Sequence, residues 1–244
     1  MDNDARHLNW EGCYNIRDLG GLPLADGGQT RFGTLVRADH LGRLTEAGRA
    51  QLVDYGIRYV IDLRVPQELA ETPSAGFDGV EGAPEYRNIS LMSDLGDPPE
   101  LVDSEIPWDK AYIYVLDNNQ ENYAAAVRTI ATAEGPLVFH CHSGKDRTGM
   151  LAALLLDLAG VDRQAIAADY ALSRERLWPL WEEKVAQAGG EDYTNLWYKP
   201  TTKPETMMAV FEHLDRVYGG TAGYLRAAGI TEEELAGLRA RLVE

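Results

Sequence analysis

The residue types best suited to chemistry fall in one short run, His140-Cys141-His142-Ser143-Gly144-Lys145-Asp146-Arg147-Thr148-Gly149. Cys141 is the nucleophile candidate. The thiolate is the attacking form of cysteine, and a helix start with Lys145, Arg147 and any protonated histidine nearby would favour it. Arg147 can grip two oxygens of a phosphate with its planar fork, and the grip tightens as charge spreads over the equatorial oxygens during phosphoryl transfer. Gly144 lets the backbone approach an anion, so that the amides of His142, Ser143, Gly144, Lys145, Asp146 and Arg147 can form a nest. Thr148 can donate its hydroxyl to the sulfur when a phosphocysteine is hydrolysed. His140 is expected beneath the loop, holding its carbonyls, and Gly149 is expected to let the following helix pack close to the strand. His142 and Lys145 are expected at the rim of the pocket.

Other readings of the same letters fit less well. His140 and His142 flank Cys141, but neighbours in an extended segment point to opposite faces and no second ligand pair lies at a useful spacing, so zinc is not expected. A nucleotide-binding P-loop needs Ser or Thr after Gly-Lys and a glycine upstream, and Asp146 stands after Lys145. A sulfur-transfer loop of the rhodanese kind is disfavoured by Arg147-Thr148-Gly149 at the helix start. Cys13 reads as a small core residue, with disulfide protection of Cys141 as its alternative role.

The elements around the run must place it. Leu137–His140 reads as a buried strand and Thr148–Ala159 as an apolar, buried helix ended by Gly160, which aims unpaired N–H groups and the positive end of the helix dipole at the loop. Further strands are expected at Thr34–Arg37, Arg58–Leu63 and Tyr86–Leu91, and helices at Leu44–Tyr55, opened by Thr45, and Asn122–Ala133. Alternating strands and helices predict an α/β fold. Asp62 falls at the carboxyl end of a central strand, where such sheets place ligand-facing groups, and is a further candidate to assist the catalytic proton transfer. Asn15–Gly21 reads as a turn with Arg17 paired to Asp18 or Asp39, and Arg37, Asp39 and Arg64 as members of charge networks. Met92–Pro107 reads as a long loop of functional length. After Leu158 the chain is helical, and Thr231 with Glu234 has the spacing of a capping box. Trp178, Trp181, Trp197 and Tyr198 read as packing between helices, and His7 and His213 as surface residues.

The chain has 244 residues, 45% of them hydrophobic and 25% charged, enough for a full core and unlike a disordered chain. One domain is expected over 1–244, with the sheet and loop in about 10–160 and a packed helical portion in 161–244. The formal net charge of −16 argues against nucleic-acid binding and stable membrane association. A single phosphate held in direct contact by a nest and Arg147 escapes that argument, because net charge acts only over about a Debye length, ~8–10 Å. Two cysteines give no disulfide framework, and no signal peptide or spanning segment is visible, so a cytoplasmic location is expected.

The run His140 to Gly149 resembles the active-site signature of bacterial cysteine-dependent protein tyrosine phosphatases that carry a Lys-Asp pair within the loop. The segments Asn15–Gly21, Arg37–Leu41, Leu44–Glu46 and Val60–Arg64 resemble that family in the same order. The resemblance implies a phosphatase-type three-layer fold, a small mixed sheet flanked by helices with extra C-terminal helices. It implies a two-step hydrolase without metal or cofactor, acting on phosphotyrosine in proteins and extending to phosphoserine and phosphothreonine. It also implies a general acid, carried onto Asp146 by the Lys-Asp subfamily and onto Asp94 by relatives with an acid on an upstream loop; Asp97 lies on that loop as well. Phosphoinositides, inositol phosphates and small phosphometabolites stay open as substrates, because Lys145 and His142 add positive charge. A non-catalytic phosphate-binding module is the reading from another class.

Overall fold

The structure is a computed structural model that describes residues 5–74, 76–77, 79–92, 107–187 and 199–243. Strands β1 (Arg17–Asp18), β2 (Leu35–Ala38), β3 (Tyr59–Asp62), β4 (Glu85–Asn88) and β5 (Leu137–His140) form one sheet in the order β1-β2-β5-β3-β4. β1 is antiparallel to β2, and the other neighbours are parallel. Parallel neighbours require long crossovers, which carry helices α1 (Glu46–Asp54), α2 (Pro66–Glu71), α3 (Trp108–Asn118) and α4 (Gln120–Thr132). β5 is inserted between β2 and β3, so the chain leaves β5 at the point where strand order reverses. Open α/β sheets bind ligands at such points, beyond the carboxyl ends of the strands. Ala38, His140, Asp62 and Asn88 end their strands side by side in register.

Side-chain alternation gives the sheet two apolar faces. Val36, Val138 and Val60 lie side by side and pack with Ile16, Leu41, Leu44 and Leu52. Leu35, Leu137, Phe139 and Ile61 turn the other way, into the larger cluster. There they meet α5 (Asp146–Ala159), whose Leu151, Leu154, Leu155, Leu156 and Leu158 are all buried. Each such side chain contributes about 1.5–3 kcal/mol by leaving water, which makes α5 a rigid support for the loop before it. α6 (Arg163–Gln187), α7 (Pro204–Tyr218), α8 (Thr221–Ala227) and α9 (Glu232–Leu242) add residues to the same cluster.

Local signals place the helix ends. The Thr45 hydroxyl accepts the N–H of Gly48 at 3.1 Å. Thr231 and Glu234 form the expected reciprocal box, at 3.2 and 2.7 Å. β5 lies where expected, while β2, β3 and β4 are each displaced or shortened by a residue or more at their ends. Asn15–Gly21 is more than a turn, since it contains β1. α5 begins at Asp146 and not at Thr148, so Asp146 and Arg147 belong to its first turn. His213 is buried against Asp117, its Nε2 3.0 Å from Oδ1. Trp178 and Trp181 are partly exposed on α6, with ring centroids 4.9 Å apart, and do not pack in the core; Trp197 and Tyr198 lie outside the described residues. Among the described residues no helix is long and apolar enough to cross a membrane.

Candidate active site

Cys141 follows β5 directly and is 2% exposed, at the base of a loop that runs into α5. The loop's shape is set by what holds its carbonyls. His140 Nδ1 lies 3.0 Å from the Cys141 carbonyl, and since that oxygen can only accept, Nδ1 carries the hydrogen. The His40 amide donates to the His142 carbonyl at 3.0 Å. Asn15 Nδ2 donates to the carbonyls of Ser143 at 3.0 Å and Gly144 at 3.1 Å. Arg37 adds a second bond to the Gly144 carbonyl, at 2.8 Å. A peptide unit is planar and trans, so each carbonyl tied to the surrounding scaffold turns the next N–H the opposite way, into the loop. The first helical bond of α5 runs from Gly149 N–H to the Lys145 carbonyl at 3.0 Å. The amides of Asp146, Arg147 and Thr148 therefore have no helical acceptor and extend the same array. Together they make an anion cradle facing Cys141.

Gly144 is needed twice over. Its φ is +63°, and an added Cβ would lie 2.3 Å from the Ala38 carbonyl oxygen. Gly149 is tight as well: a Cβ added there would lie 3.0 Å from the Tyr170 ring of α6 and 3.4 Å from the guanidinium of Arg37 on β2, so the space it leaves is taken by side chains from both elements. Thr148 is buried, and its hydroxyl has no hydrogen-bond partner among the described residues.

Arg147 lies 15% exposed in a two-pronged ion pair with Glu68 of α2, whose carboxylate also accepts the Val65 N–H at 3.0 Å. Burial would raise the Glu68 carboxyl, but Arg147 outweighs it and holds the carboxyl below its usual range. Only two of the five guanidinium hydrogens are used by this pair, leaving others for an anion. Asp146 is partly exposed; the Tyr112 hydroxyl donates to its Oδ1, and Lys145 Nζ stands 3.6 Å from the same oxygen.

Two expected positions differ. Lys145 does not rim the pocket: it is 1% exposed, with Nζ 4.8 Å from the centre of the Trp108 ring, a cation–π contact that draws the side chain under α3. Asp62 does not face a ligand. It is fully buried, ion-paired to Arg64 at 2.7 Å and 3.5 Å from His140 Nε2. His142 is partly exposed in the loop. The histidines do not add charge, because burial first and neighbouring cations second lower His142 to about 4 and His40 to about 3, and burial lowers His140. Cys13 packs against the smaller cluster, on the opposite face of the sheet from Cys141, and burial with Asp39 pushes its thiol up, away from the reactive form. Asp94 and Asp97 lie outside the described residues.

The model of the tyrosine phosphatase family matches residues 8–244 of the chain. The chain belongs to the tyrosine phosphatase family. A tyrosine-protein phosphatase of Nostoc commune is 34% identical over 224 residues, 85% of this chain and 73% of that protein. The triple specificity protein phosphatase PtpB of Mycobacterium tuberculosis is 29% identical over 280 aligned positions, 95% of this chain and 97% of that protein. The solved structure of TpbA from P. aeruginosa covers 81% of this chain and 88% of that one, with 17% identity and a TM-score of 0.40.

The tyrosine phosphatase has supporting residues that sequence reasoning missed or misassigned. Arg17 pairs with neither Asp18 nor Asp39. It meets Asp169 of α6 at 2.9 Å, and Arg37 meets the same carboxylate at 2.8 Å, with Arg6 as a third partner. Asp39 instead receives the amides of Tyr14 and Asn15 and the Arg43 guanidinium. Glu68 and Tyr112 carried one weak signal each: a carboxylate shortly after Arg64, and a tyrosine one helical turn after Trp108.

Proposed function

We propose that this phosphatase hydrolyses phosphotyrosine in proteins through a phosphocysteine on Cys141. The observation that carries the reading is the loop whose carbonyls, from Cys141 to Gly144, are all held from outside while a buried cysteine lies at its base. In the first step the Cys141 sulfur attacks phosphorus, the S–P bond forms and the P–O bond to tyrosine breaks. Asp146 supplies a proton to the leaving oxygen. The loop amides and Arg147 meet the charge on the equatorial oxygens. In the second step Asp146 takes a proton from water as its oxygen attacks phosphorus. The S–P bond breaks, and the unpartnered Thr148 hydroxyl donates to the departing sulfur. Substrate and water aside, both steps draw on groups of this chain, and we assign no step to a metal or cofactor.

Burial of Cys141 at the base of the loop fits the aryl ester of phosphotyrosine, the substrate class named for the family to which the chain belongs. The PtpB relative is named a triple specificity protein phosphatase, which supports a range wider than phosphotyrosine, and activity on phosphoserine and phosphothreonine belongs to the reading as a weaker one. The charge argument for polyphosphorylated ligands loses its main residue, since Lys145 is buried under Trp108. The test is phosphate release from a phosphotyrosine peptide in the presence of chelator. Wild type should be active and Cys141→Ser inactive; a metal requirement, or activity kept by the variant, would overturn the reading.

A further inference from the structure

Trp108 opens α3 and lies beside the loop that carries Cys141. Trp108 and Tyr112 stand one turn apart on α3 and so share a face. That face closes over the Lys-Asp pair: the Trp108 ring covers Lys145 Nζ at 4.8 Å, and the Tyr112 hydroxyl donates to Asp146 Oδ1. Tyr112 is 3% exposed and Tyr170, behind it, is 1% exposed, with the two hydroxyls 2.8 Å apart. Donor counting orders this chain. A carboxylate only accepts, so the single Tyr112 hydrogen goes to Asp146, and the hydrogen between the tyrosines comes from Tyr170. Each bond in such a row polarises the next.

We infer that Tyr112 is a positioning residue for Asp146, fixing Oδ1 so that the other carboxyl oxygen carries the proton to the leaving group, with Tyr170 holding Tyr112 in turn. The inference rests on the assignment of Asp146 as the acid made above. In the first step the proton on Oδ2 passes to the leaving oxygen as the P–O bond breaks. The carboxylate so formed is already hydrogen-bonded by Tyr112, whose own proton stays in place. Water returns a proton to Oδ2 in the second step. Burial, Asp146 and Tyr170 all push the Tyr112 phenol well above its usual range, in keeping with a hydroxyl that donates and does not ionise. Tyr112 also packs against the Trp108 and Tyr170 rings, at centroid distances of 6.0 and 6.1 Å, which a phenylalanine would preserve.

The experiment compares wild type, Tyr112→Phe, Asp146→Asn and the double variant on aryl phosphates whose phenols range from strongly to weakly acidic. A weakly acidic phenol needs its proton during departure; a strongly acidic one does not. Tyr112→Phe should leave kcat/KM on the most acidic phenol within about twofold and lower it about tenfold on the least acidic, the loss of one hydrogen bond to a charged group. Asp146→Asn should show the same dependence more steeply, and adding Tyr112→Phe to it should cost nothing further. Equal loss of activity across all leaving groups in Tyr112→Phe, or none, overturns the inference while leaving Asp146 as the acid. A flat profile for Asp146→Asn overturns both. Thermal unfolding of each variant separates a folding defect from either result.

Discussion

Arg147 and Glu68 face each other in a two-pronged ion pair, and Glu68 at the same time accepts the Val65 amide at the start of α2. The guanidinium proposed to hold phosphate is therefore fixed from behind by a carboxylate that is itself fixed. Replacing Glu68 by Gln keeps the shape and removes the charge. A hydrogen bond to a charged group contributes about 1.5–3 kcal/mol, so kcat/KM on a phosphotyrosine peptide should fall about tenfold to a hundredfold. Inhibition by inorganic phosphate should weaken in parallel. Unchanged kinetics in Glu68→Gln would show that Arg147 needs no such support.

Gly144 makes a sharper case. A Cβ there would meet the Ala38 carbonyl at 2.3 Å on a backbone with φ of +63°. The three nearest atoms all belong to the backbone of Ala38 and Asp39, so only displacement of the loop relieves the clash. Gly144→Ala should remain folded by circular dichroism yet lose activity on the order of a hundredfold, the cost of misplacing reacting groups by about 1 Å.

How much of this was legible beforehand follows from how local each signal is. β5, the loop and the body of α5 are contiguous, and an apolar run, a glycine and a helix former are enough to place them. Asp146 and Arg147 read as lying outside the helix because the apolar pattern begins only later, and polar first turns leave no periodic signature. The burial of Lys145 has no local signal, since nothing near it in sequence gives a lysine a reason to be buried; the reason is Trp108, 37 residues upstream. Asn15, Glu68 and Asp169 touch the loop or its supports only through tertiary contacts, so spacing could not identify them.

Asp169 concentrates those supports. It meets Arg6, Arg17 and Arg37 in the interior, and these cations hold its carboxyl far below the usual range despite burial. Removing the charge in Asp169→Asn leaves buried guanidinium groups uncompensated, a loss of about 3–5 kcal/mol. Urea unfolding should show that drop. The same linkage predicts that this stabilisation is fully present above about pH 4, the unfolded aspartate range, and is lost progressively as pH falls below it.

The histidines near the loop give a second pH window. His40 is 5% exposed and its pKa is lowered to about 3, mainly by burial and then by Arg64. Below about pH 6.5 the unfolded chain binds protons that the folded chain refuses, so unfolding becomes easier as pH falls. Stability measured by urea at pH 7, 6 and 5 should decline, by up to about 1.4 kcal/mol per unit for each such histidine. His40→Asn should reduce the slope. A flat profile across this range would contradict the buried, neutral state of His40.

The central claim is that Cys141 carries the phosphoryl group, and the most direct measurement traps it. Wild type mixed with a phosphotyrosine peptide, quenched in acid during turnover and digested, should yield one phosphoryl group on the peptide containing Cys141, as should Asp146→Asn with an aryl phosphate of an acidic phenol. Cys141→Ser should release no phosphate. Turnover with no phosphoryl group on Cys141 at any quench time, together with phosphate release by Cys141→Ser, would contradict the account.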